Sequence, residues 1–139
     1  MQFYQQFCEE TFGPDGSLTG FRVKCAENYN FGYDVVDAIA ARDPEKRAVV
    51  WCSPDGPERT FTFEDIRRLS NQAANVFRAQ GIGRGDKVMV VLKRHYEYWF
   101  VSIALHKLGA VLVPVTHMLT ADDLAYRVDL AHIKAAVCT

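Results

Sequence analysis

Along this chain the apolar residues switch repeatedly between the alternation of a strand and the three-and-four spacing of a helix. Residues 1–30 are weakly patterned and read as a leader segment. They predict a short helix through Tyr4, Phe7 and Cys8, a turn at Gly13-Pro14-Asp15-Gly16, and an extended Phe21-Arg22-Val23, all expected to pack on the remainder of the chain. Asp34 is placed to cap a helix carrying Val35, Val36 and Ile39, which Asp43-Pro44 ends because the residue before proline disfavours the helical region. Ala48 to Cys52 is apolar and β-branched, Pro54-Asp55-Gly56 is a turn signal, and Arg59-Thr60-Phe61 returns, which predicts a β-hairpin.

Thr62 with Asp65 forms a capping-box pattern, and Phe61 with Ile66 occupies the positions of a hydrophobic staple. The helix that starts there should bury Ile66, Leu69, Ala73, Val76 and Phe77 and turn Arg67, Arg68, Asn71 and Asn75 outward. Gly81 is its stop, and Lys87 to Leu92 reads as a strand. The next helix, His95 to Lys107, is apolar on most sides and should be mostly buried. Gly109 ends it before a strand over Val111 to Val115, whose Pro114 belongs near the carboxyl end because it has no N–H to donate. Thr120 with Asp123, and Leu119 with Leu124, repeat the box and the staple for a helix lined by Leu124, Val128 and Ala131. Ala135 to Thr139 looks like an interior strand, and its outer edge would be bare. Strand, helix, strand, helix, strand with short links predicts an α/β fold: an N-terminal β-hairpin and helices followed by a parallel β-α-β-α-β unit.

The glycines at Gly81, Gly83 and Gly85 invite a phosphate-loop reading. Phosphate-binding glycines follow a strand and open a helix, where free N–H groups face the anion. Here they follow a helix and open a strand, so they read as a cap and a tight turn.

Composition narrows the functional classes. The chain has 139 residues, 49% of them hydrophobic and 24% charged, with a formal charge of -1; that is a globular balance without the cationic field that nucleic acid or an anionic membrane would require. No apolar run is long enough to span a bilayer and the start lacks a secretion signal, so the expected location is cytoplasmic. Cys8, Cys25, Cys52 and Cys138 are far apart and read as reduced and structural; His95, His106, His117 and His132 lack metal-site spacing.

In open α/β sheets ligands lie beyond the carboxyl ends of the strands, which makes Lys93, Arg94 and His95, with Thr116 and His117, the best ligand candidates. The competing reading is a solvated loop and a strand end. Tyr96, Tyr98, Trp99 and Phe100 read as core or interface rather than as a base-stacking platform, because no cationic groove accompanies them. Asp122 and Asp123, at a helix start, fit a cap rather than an acid/base pair.

The blocks YNFGYDVVDAIA, RTFTFEDIRRLSNQAANVFRAQGIGRGDKVMVVL, EYWFVSIALHKLGAVLVPV and MLTADDLAYRV, in that order, resemble the AMP-forming acyl-CoA synthetases of the adenylate-forming superfamily. KRHYEYW and VTHMLTADDLAYR are most similar to the medium-chain and acetyl-type branch. The resemblance implies that residues 31–139 are an incomplete N-terminal AMP-binding domain, its first subdomain, in a parent about four times as long. It implies ATP, magnesium (Mg2+) and coenzyme A as cofactors, a small carboxylic acid as substrate, and the rest of the synthetase chain as partner. No stretch matches the family's glycine-rich, lysine-bearing loop, so no catalytic, cofactor-binding or metal residue is carried over and the piece alone is expected to be inactive. Where some relatives place an arginine near the coenzyme A nucleotide, this chain has Met118. The alternative is a complete small α/β binding or dimerisation module of response-regulator type; it needs an acidic residue where the first parallel strand ends Leu92-Lys93-Arg94. Self-association through the bare strand edge or the Tyr96 to Phe100 surface is a further expectation.

Overall fold

The computed structural model describes residues 3–53 and 56–139. A 3-10 turn over Phe3–Gln6 leads into strand β1 (Cys8–Phe12), which pairs antiparallel with β2 (Leu18–Val23). The predicted helix therefore stops short of Cys8, which begins a strand, and the leader is a hairpin. Its turn falls where expected: Gly16 is left-handed (φ 79°) and its N–H donates to the Gly13 carbonyl at 3.0 Å. The register puts Cys8, Phe12, Leu18, Phe21 and Val23 on one side and Glu9, Thr11 and Arg22 on the other. Phe12, Leu18, Phe21 and Val23 stay exposed, contrary to the expectation that this segment packs on the remainder of the chain.

A wide π-type helix, Phe31–Asp37, runs into α1 (Ala38–Arg42). Its cap is Asn30 rather than Asp34: Asn30 Oδ1 accepts from Gly32 N–H at 2.9 Å, while Asp34 Oδ2 accepts from the Asn30 N–H at 2.6 Å. The two side chains share the capping work, and Asn30 holds the cap position because its backbone is extended where Asp34 is already inside the helix. Strands β3 (Arg47–Trp51) and β4 (Arg59–Thr62) form the second antiparallel hairpin. Two residues of its expected turn, Pro54 and Asp55, lie outside the described residues.

Helix α2 (Phe63–Ala79) starts on the predicted capping box, with Thr62 Oγ1 accepting from Asp65 N–H at 3.1 Å and Asp65 Oδ2 accepting from Thr62 N–H at 3.0 Å. Its buried line is Ile66, Ser70 and Ala74, and Val76 is exposed, so the stripe is turned from the expected one. A purely apolar count overlooks serine. Ser70 is small and satisfies its hydroxyl internally, donating to the Arg67 carbonyl at 3.1 Å, which suits it to the face toward the neighbouring helix.

Strand β5 (Lys87–Val91), helix α3 (Glu97–Leu108), strand β6 (Val111–Pro114), helix α4 (Ala121–Ala131) and strand β7 (Ala135–Cys138) complete the chain. The sheet is parallel in the order β6-β5-β7, so β5 is central, and β7 pairs on one side only with its outer edge bare, as expected from its sequence. Pro114 closes β6 on an edge, as its missing N–H requires. Val88 and Val90 of β5 pack with Val101 and Leu105 of α3, with Ile82 and Ala110, and with Leu112, Ala135 and Val137 of the flanking strands. A second cluster joins Val36, Ile66, Phe100 and Ile103. Between these layers lies Lys107, its side chain fully buried, with Nζ 2.7 Å from Asp37 Oδ1 and donating to Asn71 Oδ1 at 2.7 Å. Gly32 permits this: a Cβ there would meet Lys107 Cγ at 2.6 Å.

Candidate functional site at the carboxyl ends of the parallel strands

The chain crosses from β5 to β6 through α3, then back over β5 to β7 through α4. Right-handed crossovers travelling in opposite directions place their helices on opposite faces. The loops leaving β5 and β6 therefore diverge at the strands' carboxyl ends, the usual ligand position of such sheets. Lys93, Arg94 and His95 leave β5; Thr116 and His117 leave β6.

The first of these loops is held from outside by the β3–β4 hairpin. Arg94 sits in the left-handed region (φ 45°), a conformation that needs support in a non-glycine residue. The support is Trp51, whose Nε1–H donates to the Arg94 carbonyl at 2.6 Å. The Trp51 ring meets Tyr96 edge-on at 5.5 Å, and Tyr96 leans on Phe61 at 5.1 Å. Arg59 donates to the Tyr96 hydroxyl at 2.9 Å, with its guanidinium 4.9 Å from the ring centroid. Between hairpin and loop lies a groove of about 370 Å³, walled by Trp51, Leu92, Tyr98 and Trp99 and rimmed by Cys52, Arg94 and His95. Lys93 and Ser53 line an adjoining opening of about 470 Å³.

Thr116, His117 and Met118 are exposed in the neighbouring loop and do not line this groove. Thr116 Oγ1 accepts from the Met118 N–H at 3.3 Å, a local turn bond. The site thus assembles Lys93, Arg94 and His95 around Trp51 and Trp99, and leaves Thr116 and His117 outside it. Trp51 and Cys52 read from the sequence as strand and Trp99 as core or interface, so none was named as a ligand candidate; Trp99 is 48% exposed. Only the pairing of the hairpin with a distant loop reveals their role.

The glycine bend is a cap and turn, as its order along the chain predicts. Gly81 N–H donates to the Arg78 carbonyl and Ile82 N–H to the Phe77 carbonyl, both at 2.9 Å, which is a Schellman ending. Asp86 Oδ2 fills the bend, accepting from Gly83 N–H at 2.7 Å and from Lys134 Nζ at 2.7 Å; Lys134 also donates to the Gly81 carbonyl at 2.7 Å. The lysine ammonium, and next the Gly83 N–H, hold the Asp86 carboxyl below the ordinary aspartate range. A phosphate brought here would meet a carboxylate and helix-end carbonyls. Asp123 serves the α4 cap, accepting from Thr120 N–H at 3.2 Å, and Asp122 lies exposed in the same first turn. Among the described residues no three His, Cys, Asp or Glu side chains gather to hold a metal ion, and no helix is long and apolar enough to cross a membrane. Cys8 is half-buried and Cys25, Cys52 and Cys138 are exposed, all unpaired, so three of the four do not serve as core.

The family model for the AMP-binding enzyme matches residues 36–139. Acyl-coenzyme A synthetase ACSM5, mitochondrial, of Mus musculus is 36% identical over 117 residues, covering 80% of this chain and 20% of that protein. The ACSM4 counterpart of Rattus norvegicus is 34% identical over 119 residues, covering 81% of this chain and 20% of that protein. Among solved structures, the inhibitor-bound N-terminal domain of FACL13 from Mycobacterium tuberculosis superposes with a TM-score of 0.70 at 28% identity, covering 77% of this chain and 26% of that one. The chain spans about a fifth of the length of the curated relatives it matches. The α/β expectation stands, with the parallel three-stranded sheet shared with these N-terminal domains. On the match over residues 36–139, this chain belongs to the AMP-binding enzyme family.

Proposed function

We propose that this chain is the N-terminal portion of an ATP-dependent, AMP-forming acyl-CoA synthetase acting on carboxylic acids from acetate to medium chain length. Residues 31–139 are its first subdomain and residues 1–30 a leading segment. The carrying observation is the family match over residues 36–139 together with 36% identity to a protein named an acyl-coenzyme A synthetase.

In that reaction a carboxylate oxygen attacks the α-phosphorus of ATP, the bond to the bridging oxygen breaks, and pyrophosphate leaves. The coenzyme A sulfur then attacks the acyl carbon, its proton goes to solvent or a base, and AMP leaves. Stabilising such charge requires positioned donors and cations. The glycine bend of this chain is occupied by Asp86 and Lys134, so no phosphate-holding step is assigned to it. The role of this portion is scaffold: a sheet whose carboxyl ends face the reaction space, with the β3–β4 hairpin holding the loop that leaves β5.

Exchange of labelled pyrophosphate into ATP tests this reading. The 139-residue chain alone should give background exchange with every acid from acetate to decanoate. The protein that continues from it should give acid-dependent exchange and then acid- and coenzyme A-dependent AMP release; absence of both refutes the synthetase reading. The matched relatives are named mitochondrial, whereas this chain is proposed to be cytoplasmic, and subcellular fractionation separates the two.

A further inference from the structure

We propose that the apolar face of the leading β1–β2 hairpin is a docking surface for the polypeptide that continues beyond Thr139, a contact made within one chain and not between copies. The proposal rests on the reading of this chain as a portion of a longer protein, and not on that protein's chemistry.

The two faces of the ribbon are built for different surroundings. On one, Glu9 pairs with Arg22 at 2.7 Å and also with Lys24, so its charges are matched and it suits water. On the other, Phe12, Leu18, Phe21 and Val23 are each between 54% and 62% exposed. Glu10, set opposite Phe21 on that same face, is half-buried and accepts from the Tyr4 hydroxyl at 2.9 Å. The charge there already has its donor, so the face calls for an apolar occupant and not a basic one. A two-stranded ribbon is at best marginally stable in water and gains stability when its apolar face is covered. This one is tied to the body near its open end, where the Phe7 ring meets Tyr29 edge-on at 5.5 Å and Lys24 N–H donates to the Phe7 carbonyl at 2.7 Å.

Size decides between occupants. At about 100 Å² apiece, the four side chains offer on the order of 400 Å² of apolar surface. Pairing two copies through this face would bury about 800 Å² in all, the size of a packing contact and short of the roughly 1,000 Å² that a stable interface needs. A later segment of the same polypeptide faces no such threshold, because its tether removes most of the translational and rotational cost of association. Relatives have the length to supply one: the match to ACSM5 of Mus musculus covers 20% of that protein.

Backbone amide exchange, followed in the 139-residue chain and in the protein that continues from it, tests the contact. In the short chain the β1 and β2 amides should exchange fast at every protein concentration, and in the longer protein those bonded across the hairpin should exchange at least about tenfold more slowly. Phe21→Thr with Val23→Thr keeps strand-forming β-branched residues while removing the apolar contact, and should return exchange in the longer protein to the rate of the short one. Phe21→Thr alone is the second variant should the pair fail to fold. Equal exchange at both lengths, or slow exchange that the variants leave unchanged, would overturn the proposal. So would protection in the short chain that rises with concentration alongside a dimer in light scattering, which would assign the face to a second copy. Failure of the synthetase reading shows separately, as missing acid-dependent pyrophosphate exchange in a longer protein whose hairpin is protected all the same.

Discussion

Helices α2 and α4 begin and end on the same local devices and differ in almost everything between. Each starts on a Thr/Asp capping box, Thr62 with Asp65 and Thr120 with Asp123. Each ends on a left-handed residue, Gly81 (φ 77°) or His132 (φ 52°), whose successor donates back into the last turn. Yet α2 buries Ile66, Ser70 and Ala74, while α4 buries none of its residues and leaves Tyr126 and Leu130 more than half exposed. Helix boundaries are decided by residues within one turn of each other, whereas burial is decided by partners far along the chain. For α2 those partners are α3 and the buried lysine.

The largest expected effect tests that tie. Lys107 joins Asn71 of α2 to Asp37, which closes the π-type helix. Lys107→Ala should lower stability in urea unfolding by about 3 kcal/mol, the low end for a broken buried pair because Asp37 keeps some water contact. A loss below about 1 kcal/mol would mean that apolar packing alone joins these elements. Next comes a matched pair of truncations. Ile66→Ala, at a 4% exposed position of α2, should cost about 3 kcal/mol. Leu124→Ala, at the corresponding half-buried position of α4, should cost less than about 1 kcal/mol. Equal losses would show that α4 is packed as firmly as α2.

The same division explains what was legible in the sequence. Both capping boxes, the Gly81 stop, the β3–β4 hairpin and the parallel unit are local patterns, and each stands where the spacing puts it. Val76 and Val128 were expected inside and are exposed, because an apolar stripe says that a face is available and not that a partner covers it. Asn30 displaced Asp34 as cap because both are good capping residues and only backbone conformation separates them. Of the candidate site, Lys93, Arg94 and His95 were named from topology alone, together with Thr116 and His117, which lie outside the groove. Trp51, Cys52 and Trp99 were not, since their meeting depends on how the second hairpin lies against a loop more than forty residues away, as the Trp51–Arg94 bond records.

Removing the cap hydroxyls should affect the two helices alike. Thr62→Ala and Thr120→Ala should each cost about 1 kcal/mol, because an N-cap bond acts within its own first turn whatever the helix packs on. The readout for α4 is amide exchange in its first turn, which local opening governs more than global unfolding. A loss confined to Thr62→Ala would tie the value of a cap to burial.

The smallest effect separates the two caps by their acid response. Asp65 and Asp123 are both held below the ordinary aspartate range, so each carboxylate is a stronger acid folded than unfolded. Each stabilises the protein fully above the unfolded value, and that contribution disappears as pH falls through the lower folded value. The leading causes differ: for Asp65 it is the Thr62 backbone N–H, for Asp123 the Thr120 hydroxyl. Thr62→Ala keeps the backbone donor and should leave most of the Asp65 depression in place. Thr120→Ala removes the leading donor and should move Asp123 back toward its unfolded value, flattening the acid dependence of the α4 N-terminus. Carboxyl chemical shifts followed by NMR from neutral pH into acid measure both groups in one sample. If Thr62→Ala instead moved Asp65 as far as Thr120→Ala moves Asp123, the two boxes would be electrostatically identical, and their difference would lie wholly in the rest of each helix.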